Sequence, residues 1–190
     1  MPEKNRWLRR GIGTALVTFV LSLLFSYLSD LFLGKITTLV LGLLLLLFII
    51  LIGVIFDMIG FSAAAAEIGP LNARAANKVR GARQAVRLIK NADQVAIFCN
   101  DMMGDICATV GGAIGVAIIF RMLAGSPGVD TTLLTTIMTG FVAALTVGGK
   151  AIGKGVALTE ATEIMCRIGQ VVAWIEKLTG YVFFSTKGKR

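Results

Sequence analysis

"ITTLVLGLLLLLFIILIGVIF", residues 36–56, decides the fold. The run carries no charge, and about 20 mostly apolar residues suffice for a helix to cross a bilayer. Residues 11–29 and 131–149 are also free of charge, and residues 95–120 are apolar apart from Asp101 and Asp105. Four spanning segments are therefore predicted. The whole chain agrees: 56% of its 190 residues are hydrophobic, 16% are charged, and the mean hydropathy is +0.82. A soluble core of this size cannot hide so much apolar surface. The expected class is an all-α integral membrane protein with about four transmembrane helices and two amphipathic juxtamembrane helices.

The basic opening "MPEKNRWLRR" before an apolar run also suits a secretory signal. That run is longer than a signal core, and no small-residue cleavage site follows it. The tetra-alanine at residues 63–66 lies too far along the chain to serve. The first segment is read as a membrane anchor.

Orientation follows the basic residues. Lys4, Arg6, Arg9 and Arg10 precede the first span. Arg74, Lys78, Arg80, Arg83, Arg87 and Lys90 lie between the second and third. The first connection offers little beyond Asp30 and Lys35, and "RMLAGSPGVD" balances Arg121 with Asp130. Positive residues gather in cytoplasmic loops, so both termini and the middle loop are expected in the cytoplasm. Four spans return the chain to its starting side, where Lys187, Lys189 and Arg190 sit. The expected location is a bacterial plasma (inner) membrane.

The net charge of +8 is assigned to orientation and to anionic headgroups of the bilayer. A nucleic-acid partner would need a soluble basic face with stacking aromatics, and the chain offers none. The three cysteines are odd in number and form no CxxC pair, so free thiols are expected. There is no histidine, which removes the commonest general base. With no nucleophile elbow, phosphate-binding loop or Cys/His cluster either, an enzyme is not expected.

Two stretches have helical amphipathicity. Over residues 72–90, Val79, Ala82, Val86 and Ile89 recur at spacings of three and four beside Arg80, Arg83, Arg87 and Lys90. This predicts one helix lying on the cytoplasmic membrane surface. Over residues 160–178, Ile164, Ile168, Val171, Ile175 and Leu178 form a second apolar stripe, and Trp174 and Tyr181 suit the interface.

Charges inside the spans carry the functional expectation, because an ionisable group there costs several kcal/mol and usually faces a bundle interior or wet cavity. Asp101 and Asp105 share a helix face beside Gly104, roughly 9 and 15 Å along the third span. Lys150 lies roughly 12 Å before Leu158, the expected inner end of the fourth span. The three side chains are expected near one depth as a pair or triad. Lys154 is close enough to the helix end to snorkel. Asp57 is left open between a site and an interfacial role. The glycines of "GGAIG", residues 111–115, mark close helix packing.

The order of these features resembles the transmembrane domain of the CNNM/CorC family of magnesium transporters and exchangers. "FSAAAAEIGPLNARAANKVRGARQAVRLIKNAD" is similar to the family's first motif and basic juxtamembrane helix, with Phe61, Ser62, Leu71, Asn72, Asn91 and Asp93 matching. "CNDMMGDI" resembles the family's Ile-Gly-Asn-x-x-x-Asn-Ile, with Asp101 and Asp105 at its two asparagines. "GGKAIGKGVA" resembles Gly-Glu-x-x-Pro-Lys-x-x-Ala, retaining Gly149, Lys154 and Ala157. The resemblance covers residues 39–184 or so. It implies a transporter-like domain over 36–184, flanked by a segment 1–35 whose helix is extra to the family's usual three spans and by a basic tail over 185–190; the nucleotide-binding CBS pair that commonly follows in the family is not expected.

The departures are equally specific. The first motif's second serine and glutamate are Ala64 and Ala65, the family's cation-site glutamate is Lys150, and its kink proline is Gly153. Of the cation-coordinating side chains the resemblance implies, only Ser62 is unchanged. Exchanging Glu for Lys while two Asn become Asp conserves the net charge of the pocket. The implied cation site is thus Ser62, Asp101, Asp105 and Lys150. Asp101 and Asp105 are its metal-ligand candidates for Mg2+ or another cation, and Gly104, Gly149 and Gly153 are its packing and kink positions. Two functions follow: cation transport or exchange as a homodimer, or a non-transporting interaction or scaffold protein with an unidentified membrane partner, its site occupied by the Lys150 ammonium.

Overall fold

The computed structural model describes residues 4–35, 38–123 and 130–180. Expectations resting on residues 124–129, on Tyr181 and on the tail 185–190 lie outside them.

The described residues are all-α, and four helices are long and apolar enough to cross a membrane. The first, α1, is Lys4–Lys35 and holds the candidate span Gly11–Gly34. The second, α2, is Leu39–Ala65. The third span, Ala92–Arg121, is a composite of α5 (Ala92–Ala96), a π-helix π1 (Ile97–Gly104) and α6 (Asp105–Leu123). The fourth, α7, runs Thr131–Thr159 without a break, so the glycines of "GGKAIGKG" do not interrupt it. Large apolar side chains such as Leu16, Phe19, Val20, Leu44, Leu47, Phe48 and Ile137 are exposed along these helices. On helices of this length, contiguous apolar surface of this kind is the face a membrane span turns to lipid.

Two compact units are built from these helices. One takes α1, α2 as far as Val54, the third span from Met102 and α7 as far as Gly149. Leu33, Leu46, Ile50, Ile106, Cys107, Val110, Ile114, Ile118 and Val142 form its core. Close helix approach explains its small residues: a Cβ at Gly53 would lie 2.9 Å from Cys107 Cβ, and one at Gly115 2.9 Å from Val142 Cγ2. The Arg121 guanidinium donates to the Leu33 carbonyl, tying α6 to the end of α1.

The other unit takes α2 from Ile55, the third span as far as Asp101, α7 from Lys150, and three shorter helices: α3 (Ile68–Ala76), α4 (Ala82–Lys90) and α8 (Ala161–Thr179). The second amphipathic stretch forms α8 with nearly its expected bounds. The first differs from expectation, because residues 72–90 form two helices rather than one. Lys78 (φ 57°) and Gly81 (φ 82°) take left-handed backbone between them. Gly81 is also tightly apposed to α8, where an added Cβ would lie 2.4 Å from Gln170 N. Gly169 returns the approach, since a Cβ added there would lie 2.3 Å from Gly81 O.

The apolar face of α4 is a second correction. Ala82, Ala85, Val86 and Leu88 are buried in this unit's core with Met165 and Cys166 of α8, not laid on a membrane surface. Ion pairs clamp the same contact. Arg87 Nη2 lies 2.8 Å from Glu176 Oε2, and Gln84 Nε2 donates to the same carboxylate at 3.1 Å. Arg74 Nη1 donates to Glu163 Oε2 at 2.8 Å; that bond, with the Cys166 thiol beside it, holds the guanidinium above its ordinary pKa. Gly81 lies against Gln170 and Arg87 against Glu176, so the partners advance together and α8 runs alongside α4 in the same sense.

Candidate functional site

Within the second unit, α2 and α7 run in the same sense and meet at three successive levels. Deepest from their ends, Lys150 Nζ lies 3.7 Å from Asp57 Oδ1. One turn on, Lys154 Nζ stands 4.8 Å from the centre of the Phe61 ring. Next, the Ser62 hydroxyl donates to the Ala157 carbonyl at 3.4 Å. The sequence spacing produces this order. Asp57 and Phe61 are one helical turn apart on α2, as are Lys150 and Lys154 on α7.

Asp57 is 6% exposed and lies about 12 Å from the end of α2 at 1.5 Å per residue; Lys150 is at a similar depth from the end of α7. The Lys150 side chain keeps 25% of its surface, because its long stem reaches out of the contact. A neutral pair is the arrangement that makes two charges tolerable at membrane depth.

The third span closes the same level from another side. Asn100, about two turns into that span, sits against Gly60, where a Cβ would lie 1.9 Å from Asn100 Oδ1. This buried oxygen has no hydrogen-bond partner among the described residues. It lies within π1, and π-turns inside helices frequently occur at functional sites. Phe56 and Phe98 pack edge to face nearby, with ring centroids 6.5 Å apart.

Of the residues singled out in the sequence, Lys150 is paired with Asp57, whose role the sequence left open. Ser62 is fully buried, and its hydroxyl is engaged with α7. Lys154 is exposed toward the helix end, as expected of a snorkelling lysine. Asp101 and Asp105 are both exposed. Gly104 and Gly153 are buried, and a Cβ at Gly149 would lie 2.9 Å from Val54 Cγ2. No group of three or more His, Cys, Asp or Glu side chains placed to hold a metal ion occurs among the described residues. Cys99, Cys107 and Cys166 are buried and unbridged.

Sequence reasoning missed Asn100, Phe61 as the seat of Lys154, and the Asp57 pairing. The signal for the last two was present, since both helices repeat their special residues at four.

Fold and site together define a helical integral membrane protein with four candidate spans and a buried Asp57 paired inside them with a partly exposed Lys150. Comparison of the chain with known protein families, with curated proteins and with solved structures finds no match.

Proposed function

We propose that the chain is a cation-linked membrane transporter of the CNNM/CorC type, with the Asp57–Lys150 pair as its charge-bearing element. The observation that carries this reading is a carboxylate almost wholly buried at membrane depth and held by an ammonium from another span. Intramembrane charges of this kind mark ion pathways more often than they serve stability. Lys150 stands where the resemblance puts the family's cation-site glutamate, so its ammonium occupies Asp57 as an internal cation. A cargo ion such as Mg2+ takes the carboxylate only when Lys150 swings off along its partly exposed stem. Asp101, exposed on the third span of the same unit, adds a second carboxylate that attracts cations.

On this reading the protein is a homodimer in a bacterial plasma membrane. Its termini and the helices α3, α4 and α8 face the cytoplasm and its anionic headgroups, and it moves an ion rather than catalysing a reaction. The same ion pair favours a second reading, in which Lys150 permanently fills the site and the protein serves a membrane partner without transport.

Magnesium flux into proteoliposomes separates the two. Saturable flux in wild type, lost in Asp57→Asn, is the expected result. Flux unchanged by Asp57→Asn removes the pair from the mechanism. A silent wild type that gains flux with Lys150→Glu establishes the second reading.

A further inference from the structure

The apolar stripe of α8 serves two faces. Met165, Cys166 and Gly169 are buried in the contact with α3 and α4. On the opposite side Val171, Trp174 and Leu178 follow one another at three and four residues, each more than half exposed. Internal packing accounts for the first face only.

The position of α8 says what covers the second. It starts two residues after the end of α7, at the level where a span leaves the bilayer. Exposed aliphatic side chains with a tryptophan among them are the composition of the membrane interface, where the indole ring lies in the apolar margin and its N–H stays wet. Beside them Arg80, Gln170, Val171 and Trp174 line an open pocket of about 290 Å³. The lining thus brings together one basic, one amide and two apolar side chains. The surroundings are cationic. Residues 66–94 and 160–180 together hold eight Arg and Lys against five Asp and Glu, and two of those acids are committed to Arg74 and Arg87.

We propose that this pocket seats the headgroup of an anionic phospholipid. Its phosphate is held by Arg80 and Gln170, and its acyl chains run along Val171, Trp174 and Leu178. The pocket's mixed lining selects this occupant. A free phosphate has no use for the apolar side chains, and a zwitterionic lipid brings a second positive group against Arg80. The inference depends on the membrane fold and not on transport.

The test uses the full chain reconstituted in bilayers, with Trp7→Phe leaving Trp174 as the reporter. Quenching of its fluorescence is compared between brominated phosphatidylglycerol and brominated phosphatidylcholine. The expected result is a preference for the anionic lipid of roughly fivefold, the factor one basic residue contributes at an anionic surface. Arg80→Gln abolishes that preference, whereas Arg83→Gln, on α4 and outside the pocket, leaves it. Inorganic phosphate at millimolar concentration does not compete. Equal quenching by the two lipids overturns the proposal. So does a preference that survives Arg80→Gln, falls equally with Arg83→Gln, or is removed by phosphate. Because Arg80→Gln changes an exposed side chain, its folding is checked by an unchanged melting temperature.

Discussion

Replacing Lys150 with alanine strips the ammonium from a carboxylate that has almost no access to solvent. At 3.7 Å and an effective dielectric near 20, the attraction between the two charges is about 4 kcal/mol. Losing one partner of a buried pair typically costs about 3–5 kcal/mol, because the remaining charge is left uncompensated. Lys150 is 25% exposed along its side chain, so part of the attraction is screened and about 2–4 kcal/mol is the expected loss. For a chain of this length that corresponds to a melting temperature lower by roughly 5–15 °C. The opposite truncation is milder. In Asp57→Asn the orphan is a lysine whose long stem can carry its charge toward water, while the new amide keeps most of the volume of Asp57. Lys150→Ala with Asp57→Asn therefore melts above Lys150→Ala alone, which is a coupling signature. Thermal melts in one mild detergent, read on wild type, the two single variants and the double variant, make the comparison. Asp101→Asn, on an exposed residue, serves as the inert control. The reasoning is refuted if Lys150→Ala melts with wild type, or if the double variant is no more stable than Lys150→Ala.

Gly60→Ala puts a methyl group 1.9 Å from Asn100 Oδ1, so it destabilises by about 1–3 kcal/mol, the usual overpacking cost; Asn100→Ala in the same chain restores the melt. Gly169→Ala drives a Cβ to 2.3 Å from the Gly81 carbonyl oxygen, a backbone atom that cannot turn aside. It should loosen α4 from α8, which appears as limited proteolysis between residues 77 and 81 under conditions where wild type is intact. Arg87→Ala costs about 1–2 kcal/mol through its charged hydrogen bonds to Glu176. Arg74→Ala, at a more exposed pair, lowers the melting temperature less; the reverse order counts against the packing of α4 on α8. Single cysteines placed at exposed Val79 and Gln170 should be labelled by an impermeant maleimide from the same side of the membrane, since α4 and α8 pack together, and labelling from opposite sides breaks the assignment.

The four spans were legible because lipid solvation imposes one rule on every residue of a span, and that rule is visible in residues 36–56 without knowledge of any contact. Helix α8 was legible for a related reason: its apolar stripe has the helical period whichever surface it meets. The break at residues 77–81 was not. The apolar repeat of Val79, Ala82, Val86 and Ile89 continues through it, while the backbone turns left-handed at Lys78 and Gly81, and Gly81 lies tight against Gln170, a residue far along the chain. The burial of α4 on α8 was hidden likewise, since periodicity says that a helix has an apolar face but not whether lipid or another helix covers it. The Lys150 pairing turned on the same distinction. Depth along separate spans offered Asp101 and Asp105 as partners and left Asp57 open, and the packing of α2 beside α7 is what brings Lys150 to Asp57.

That packing gives the stretch "GGKAIGKG" a physical meaning. In two helices running the same way, residues four apart on each present matched rungs. Lys150 meets Asp57 and Lys154 meets the Phe61 ring. The rungs differ in strength in the order that depth requires. The deeper lysine has the less water and is given a full counter-charge. The shallower one is exposed, so the face of an aromatic ring, worth about 0.5–1 kcal/mol, is enough. Small residues permit both contacts: Gly149 lets α7 close on Val54, Gly153 is buried between the lysines, and Ala157 brings its carbonyl to the Ser62 hydroxyl. Interchanging the two receptors by Asp57→Phe with Phe61→Asp would keep composition and charge but put a ring in place of the deeper lysine's carboxylate. If depth sets the order, that exchange destabilises the protein far more than moving the carboxylate one turn along a water-exposed helix would.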